Sequence, residues 1–395
     1  MKRLHEAHVD GKTVLVRVDF NVPLDADGRI TDDRRMREAL PTLRWLLEHG
    51  AAVVVCSHLG RPKGHDPKLS LKQLHNPLSE LLDRDVLFVE DCIGPKALHI
   101  CKNIDPGDVV LLENLRFHPE EEQGDAEFAA QLAWSGSVFV NDAFGAAHRP
   151  HASISVIGQY FPKEKYAGLL LAAEVDNAER VLNQAIAPYI AILGGAKVAD
   201  KLPVLENLLE RVEGLFIGGG MAYTFLKAQG IPIGRSLCED NQLDAARRIL
   251  DRAQARVVRV VLPVDVVVAP AIDRPDAART VAADQIPADE MGLDIGPQTV
   301  AALAELLTGA RTVLWNGPVG VFEEAAFAAG TQGVAEALAR ACAAGTYVLI
   351  GGGDTAAAVD QLSNPDLFSF VSTGGGALLE YLEGRELPGL TALKS

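Results

Sequence analysis

The 395-residue chain has no excess of cations, no cysteine pairing pattern and no long apolar segment. Lys and Arg number 37 against 53 Asp and Glu, a formal net charge of −16. That excludes a broad surface for nucleic acid or anionic membrane, which needs a basic excess. It does not exclude a local basic pocket for a small anion. The five cysteines, Cys56, Cys92, Cys101, Cys238 and Cys342, form no CxxC pair and follow no regular spacing. They read as small buried hydrophobes in a reducing compartment rather than as a disulfide framework. The N-terminal residues Met1-Lys2-Arg3-Leu4-His5-Glu6 carry no apolar signal core, and the longest apolar stretches, such as 167–173, fall far short of the ~20 residues that span a bilayer. The expectation is a cytoplasmic protein with no membrane or nucleic-acid partner. No GxxxxGK[ST], no GxGxxG after a first strand, no DFG or HRD set and no HxxxH or HExxH spacing occurs, so the common nucleotide, protein-kinase and zinc signatures are absent.

What is present is a recurrent short apolar run. In the first half the runs are 14–18, 53–56, 109–112 and 138–140; in the second they are 190–193, 215–217, 257–262, 312–315, 348–350 and 368–371. Each is apolar nearly throughout rather than alternating, the mark of parallel strands buried on both faces. Amphipathic stretches of helical period lie between them at 36–49, 203–213 and 331–344. Alternation of strand and helix predicts an α/β fold of two Rossmann-like domains with parallel sheets. At roughly 150 residues per domain, the length fits two or three domains. The helical pattern over about 167–184 predicts a long helix joining the two domains. The expected boundaries are 1–165, 166–184 and 185–379, with a tail, 380–395, that must pack on a domain already built.

In open parallel sheets, ligands bind at the carboxyl ends of the strands. In the first half those ends lead to Asp19, Phe20 and Asn21, to His58, Leu59, Gly60 and Arg61, to Arg116, and to His148 and Arg149. Thr31 is a candidate N-cap that sets Arg35 on the first turns of a helix. Four arginines at one sheet edge of an acidic chain predict an anion pocket, because the guanidinium fork binds phosphate and carboxylate bidentately. His58, His148 and His151 are ligand or packing residues alike on this reading. Asp19 and Asn21 either accept from substrate hydroxyls or cap a turn.

In the second half the strand ends deliver glycine: Gly194-Gly195, Gly218-Gly219-Gly220, Gly317 after Asn316, Gly351-Gly352-Gly353 and Gly374-Gly375-Gly376. Glycine lets a ligand approach the backbone, and a helix starting there aims free N–H groups at phosphate. Lys197 and Lys201 are four apart and share a face of an expected helix from 198 to 209 or of the segment leading into it. Asp354 is either an N-cap or a ligand for a hard cation that offsets phosphate charge. Together the two halves suggest phosphoryl transfer between a small anion and a nucleotide, across a cleft that closes by hinge motion. No general base is offered, as suits an acceptor that is already ionised.

The strings RVDFNVP (17–23), SHLGRP (57–62), ENLRF (113–117), NDAFG (141–145), GGAKV (194–198), GGGMA (218–222), WNGPVG (315–320), GGGDT (351–355) and STGGG (372–376) resemble the phosphoglycerate kinase family, in its compact bacterial form. The resemblance implies a monomeric, Mg²⁺-dependent kinase that converts 1,3-bisphosphoglycerate and ADP to 3-phosphoglycerate and ATP by direct transfer with hinge-bending closure. It implies that Asp19, Phe20, Asn21, Arg35, His58, Leu59, Gly60, Arg61, Arg116 and Arg149 hold the phosphoglycerate. Gly194, Lys197, Lys201, Gly219, Leu293, Asn316, Glu323, Gly352, Gly353, Asp354 and Thr355 are implied to surround the nucleotide, with Asp354 on the metal. Arg35, Lys197, Gly352 and Gly375 are implied to stabilise the transferred group, and the C-terminal tail to return to the N-terminal domain.

Overall fold

Val14, Leu15 and Val16 are wholly buried, as are Val53, Val54 and Val55 in the next apolar run. Strands covered on both faces in this way belong inside a parallel sheet. A computed structural model describes residues 1–394 and forms two such sheets. The first contains β1 (Thr13–Arg17), β2 (Ala52–Cys56), β3 (Val86–Val89), β4 (Val109–Leu112), β5 (Val138–Asn141) and β6 (Lys165–Ala167), in the spatial order β3-β4-β2-β1-β5-β6. Its helices cover both faces. The helix Arg34–Glu48 buries Met36, Leu40, Leu43 and Leu46 on one stripe, against Val14, Val16, Val53 and Val55.

The second half holds β7 (Tyr189–Leu193), β8 (Gly214–Ile217), β9 (Arg259–Val261), β10 (Asp265–Ala269), β11 (Arg279–Ala282), β12 (Met291–Ile295), β13 (Thr312–Asn316), β14 (Tyr347–Gly351) and β15 (Phe370–Val371). Six of these make a parallel sheet in the order β15-β14-β13-β7-β8-β9. Numbered within that sheet alone, this is the doubly wound 3-2-1-4-5-6 arrangement. The topology reverses between β7 and β13; in the first sheet it reverses between β1 and β5. Those two reversals are where ligand crevices open.

The chain divides into two compact units, Met1–Asp176 together with the segment from Glu386, and Asn177–Arg385. The sequence expectation drew its lines at 165, 184 and 379. The helix Leu169–Leu182 contains the first division, and β6 leads directly into it. In the first unit, the helix Pro388–Lys394 packs on the helical turn Ala152–Val156, and the Gly389 N–H donates to the Ala147 carbonyl at 2.9 Å.

Several sequence expectations are corrected. The antiparallel sheet β11-β10-β12 lay outside the all-parallel reading. The run 257–262 yields a strand only over Arg259–Val261, because Val257 sits at φ 59° and 89% exposed just past the helix Leu243–Ala255. Thr31 is not the N-cap of the Arg35 helix. Asp33 holds that position, and the Asp32 carboxylate accepts from the Arg34 N–H at 2.8 Å. No helix among the described residues is long and apolar enough to cross a membrane.

Candidate active site

β1 and β5, the strands flanking the first reversal, deliver Asp19 and Asn21 on one side and the segment 145–149 on the other. Side-chain bonds tie the neighbouring loops into one surface. The Phe20 N–H donates to Ser57 Oγ at 2.8 Å, and the Gly60 N–H to Asn21 Oδ1 at 2.8 Å. Asn114, fully buried, donates to the Leu59 and Leu69 carbonyls at 2.8 Å each and accepts from the Arg116 N–H at 3.0 Å. Gly60 turns at φ 63°, and its carbonyl accepts from Arg116 Nη1 at 2.7 Å. The result is a pocket of about 330 Å³ lined by Asp19, Asn21, Arg35, His58, Arg61, Arg116, Glu122, Gly145, Ala146, His148, Arg149 and His151. Four arginines face two carboxylates there, a local cationic excess within an acidic chain.

Beneath the pocket runs a buried polar chain. Arg17, fully buried at the end of β1, donates through Nε to Ser153 Oγ at 2.9 Å, and Ser153 Oγ donates to Glu121 at 2.6 Å. Arg17 Nη1 donates to the Val18 carbonyl, and Nη2 lies 3.1 Å from His58 Nδ1. A guanidinium only donates, so His58 Nδ1 must accept and its ring proton sits on Nε2, 3.8 Å from Asp19 Oδ1. Burial pushes the His58 imidazole well below its usual value, against the pull of Asp19 and with Arg17, Arg116 and Arg35 reinforcing the fall. Burial also opposes ionisation of Asp19. His58, Arg35, Arg17 and the Asn21 N–H nevertheless hold its carboxyl at about 2. Arg35 Nη1 donates to Asp19 Oδ2 at 2.6 Å, so a cation and an anion are already paired beside the opening.

Of the ten residues named for this pocket, Asp19, Asn21, Arg35, His58, Arg61, Arg116 and Arg149 line it. The side chains of Phe20 and Leu59 point into the hydrophobic core instead. Gly60 contributes its backbone. Sequence reasoning missed Arg17, Glu121, Glu122 and Ser153. A cation inside an otherwise apolar strand was the available signal for Arg17, since a buried charge demands partners.

In the second unit, the loops after β7 and β13 cross backbone on backbone at the reversal. A Cβ on Gly194 would meet the Pro318 carbonyl oxygen at 2.3 Å, and one on Gly317 the Gly194 oxygen at the same distance. Gly219, at φ 66°, packs against Gly195 and Pro318. Lys201 Nζ donates to Asn316 Oδ1, and the Asn316 Nδ2 group is buried with no hydrogen-bond partner among the described residues. Such an orphan donor calls for a ligand. Burial brings the Lys201 ammonium down to about 8, against the pull of Asp354, Asp200 and Glu383. Lys197 is exposed.

The expected helix from 198 starts only at Leu202, with Pro203 in its first turn. The Glu239 carboxylate instead takes the Val198 and Ala199 N–H groups, so both lysines precede the helix. Gly352, at φ 96°, is the N-cap of the helix Gly353–Leu362. Asp354 is therefore not the cap; it is exposed one residue into the helix, and Gly353 faces open space. Thr355 is buried and its Oγ1 accepts from the Gly317 N–H at 2.7 Å. Gly375, at φ 52°, caps the helix Gly376–Leu382. Leu293 lies on β12 in a small apolar cluster with Ala269 and Phe327, and Glu323 is exposed on the turn after Phe322.

Comparison with known proteins gives a consistent result. A family model described as phosphoglycerate kinase matches residues 4–385. A phosphoglycerate kinase of Thermomicrobium roseum is 51% identical over 394 residues, covering 100% of this chain and 99% of that one. One from Chlorobium luteolum is 50% identical, covering 99% of each. Among solved structures, phosphoglycerate kinase from Coxiella burnetii superposes with a TM-score of 0.89 at 40% identity, covering 99% of this chain and 98% of that one. The Pyrococcus horikoshii enzyme gives 0.84 at 33%, covering 100% and 98%.

Proposed function

Because the chain belongs to the phosphoglycerate kinase family, the glycolytic phosphotransferases that interconvert 1,3-bisphosphoglycerate and ADP with 3-phosphoglycerate and ATP, we propose a division of that reaction between its two units. Met1–Asp176 is the phosphoglycerate domain and Asn177–Arg385 the nucleotide domain. The observation that carries this reading is the gathering of Arg35, Arg61, Arg116 and Arg149 around one pocket. Their forks match a phosphate and a carboxylate. Asp19 and Asn21 orient the substrate hydroxyl, neutral His58 donates through Nε2, and the backbone of Phe20, Leu59 and Gly60 forms the floor.

In the nucleotide domain, Lys197 and Lys201 offset phosphate charge, and Asn316 Nδ2 gains the acceptor it lacks. Gly194, Gly219, Leu293 and Glu323 surround the base and sugar, and Thr355 keeps the Gly317 turn in place. The transferred phosphoryl passes through a loose, highly charged transition state. Arg35, Lys197 and the backbone N–H groups at Gly352, Gly353 and Gly375 stabilise that charge. No residue need remove a proton, because the acceptor is an ionised carboxylate. The donor set also fits Mg²⁺. The exposed Asp354 carboxylate stands beside a helix N-terminus that suits phosphate, within electrostatic reach of Lys201. Mg²⁺ bound with the nucleotide supplies charge neutralisation across its phosphates.

Direct transfer needs reacting atoms about 3–3.5 Å apart, so binding of both substrates closes the two domains. Equal radii of gyration for the free and doubly liganded protein would contradict that. The protein acts as a cytoplasmic monomer on this reading, which light scattering on the purified chain tests. The test of the residue roles is Arg35→Ala in a coupled assay with 3-phosphoglycerate and MgATP. It should lower kcat by about 10²–10³ with a smaller change in KM. A change in KM alone would make Arg35 a binding residue only.

A further inference from the structure

Outside the arginine pocket, the first unit brings together a thiol, an imidazole and a carboxylate. Asp91 and Cys92 follow β3, and His118 follows the turn Leu115–Phe117 beyond β4. The two strands are neighbours in the sheet, so their carboxyl-end loops meet. The candidate ligand atoms of Asp91, Cys92 and His118 all lie within 4.8 Å of one another. His118 Nε2 is 2.8 Å from Asp91 Oδ1, an oxygen that also accepts from the Cys92 N–H at 2.7 Å. That oxygen thus lies against both the imidazole and the backbone of the residue that carries the thiol. Cys92 is fully buried and in no disulfide. The His118 ring leans on Phe128, 5.4 Å between centroids.

We propose that Asp91, Cys92 and His118 form a three-ligand site for a divalent transition ion, with zinc the preferred occupant. Ligand distances of about 2.0–2.3 Å to tetrahedral zinc place donor atoms roughly 3.3–3.7 Å apart. The observed spread is within about 1 Å of that requirement. Asp91 and His118 are the movable partners, with side chains 51% and 28% exposed, and they can close on the fixed Cys92. Thiolate and imidazole select zinc or cobalt over Mg²⁺ and Ca²⁺, which take oxygen ligands. The site is thus chemically separate from any nucleotide-bound cation, and it stands or falls independently of the phosphotransfer reading. Three protein ligands leave the fourth position to water. Binding forms one bond each from the metal to S, N and O without redox change. The thiol proton goes to solvent, and a neutral His118 moves its ring proton from Nε2 to Nδ1. The sequence hides the site because its ligands lie 26 residues apart and match no short spacing.

The test is a titration of the metal-stripped full chain with Co²⁺, followed by absorption. One equivalent should produce a thiolate-to-cobalt charge-transfer band that Zn²⁺ abolishes and excess Mg²⁺ leaves intact. Cys92→Ser should lose the band, and His118→Gln should weaken binding on the order of 100-fold. The His118 arm alters a half-buried side chain and remains informative if the buried Cys92→Ser variant fails to fold. Cys238→Ser, at a half-buried cysteine elsewhere, should leave the band unchanged. Absence of the band in the wild type, unweakened binding in His118→Gln, or loss of the band in Cys238→Ser would each overturn the proposal.

Discussion

Arg17→Met removes a cation from a site with no solvent exposure while keeping most of the side-chain volume. The Val18 carbonyl and His58 Nδ1 lose their donor, and Ser153 Oγ loses one of its two partners. Glu121, likewise fully buried, is raised by burial and held down in part by Arg17. Each orphaned buried acceptor costs about 1–3 kcal/mol, and breaking a buried charge network from one side costs about 3–5 kcal/mol in total. For a unit of this size, each kcal/mol shifts Tm by roughly 2–4 °C. The variant should therefore melt about 6–20 °C lower. Glu121→Gln in the same chain should recover part of the loss, since it removes the stranded carboxylate; the double variant should be more stable than additivity predicts by at least about 1 kcal/mol. The same substitution releases His58 Nδ1 and removes a repelling charge, so the His58 ring should take up protons at higher pH. Thermal unfolding by circular dichroism and nitrogen-15 spectra of the histidine rings measure both effects. A melting point within 2 °C of wild type, or additive costs in the double variant, would refute this account of the network.

The crossing of backbone at Gly194 and Gly317 predicts a contrast with Gly353. Gly194→Ala must push the Pro318 carbonyl away from 2.3 Å, so it should destabilise the second unit by more than about 2 kcal/mol, read by urea unfolding. Gly353→Ala meets nothing within 4 Å and should leave unfolding unchanged within about 0.5 kcal/mol, yet weaken MgADP binding in calorimetry because its Cβ enters space reserved for phosphate. His151 supplies a pH test. Burial, then Arg116 and Arg17, bring its imidazole down to about 4, below the unfolded value near 6.5. Its contribution to stability is complete above pH 6.5 and is lost as pH falls through about 4. Across that window His151→Gln should gain about 2–3 kcal/mol relative to wild type in denaturant unfolding, and a constant difference would show the shift is absent.

The parallel strands and their glycine or arginine endings were legible because apolar runs bounded by turn residues encode burial on both faces. Asp19, Asn21 and the four arginines could be named together because each lies in the loop after such a run or in the first turn of the helix that follows it. The antiparallel sheet was not legible. Its strands β10 and β11 lean on Tyr223, Leu226 and Ile233 from another part of the chain, and only tertiary packing decides that pairing. Phe20 and Leu59 carry the same motif strings as their pocket-lining neighbours but point the opposite way. In an extended segment, facing alternates by one residue, and no spacing rule says which parity meets solvent. Glu121 and Ser153 were silent for a related reason. Each looks like a surface residue until Arg17 arrives from β1, 136 positions before Ser153, to partner it.

The helix Pro388–Lys394 completes the unit that was begun at residue 1. On the ribosome, the surface around Ala147 and Ala152–Val156 emerges early and must wait for roughly 235 further residues, about 12–47 s of synthesis at 5–20 residues per second. The intervening unit is contiguous and can fold while its neighbour is still unfinished. The half that is translated first is thus the half that matures last, its surface at Ala147 and Ala152–Val156 covered only when the helix Pro388–Lys394 arrives.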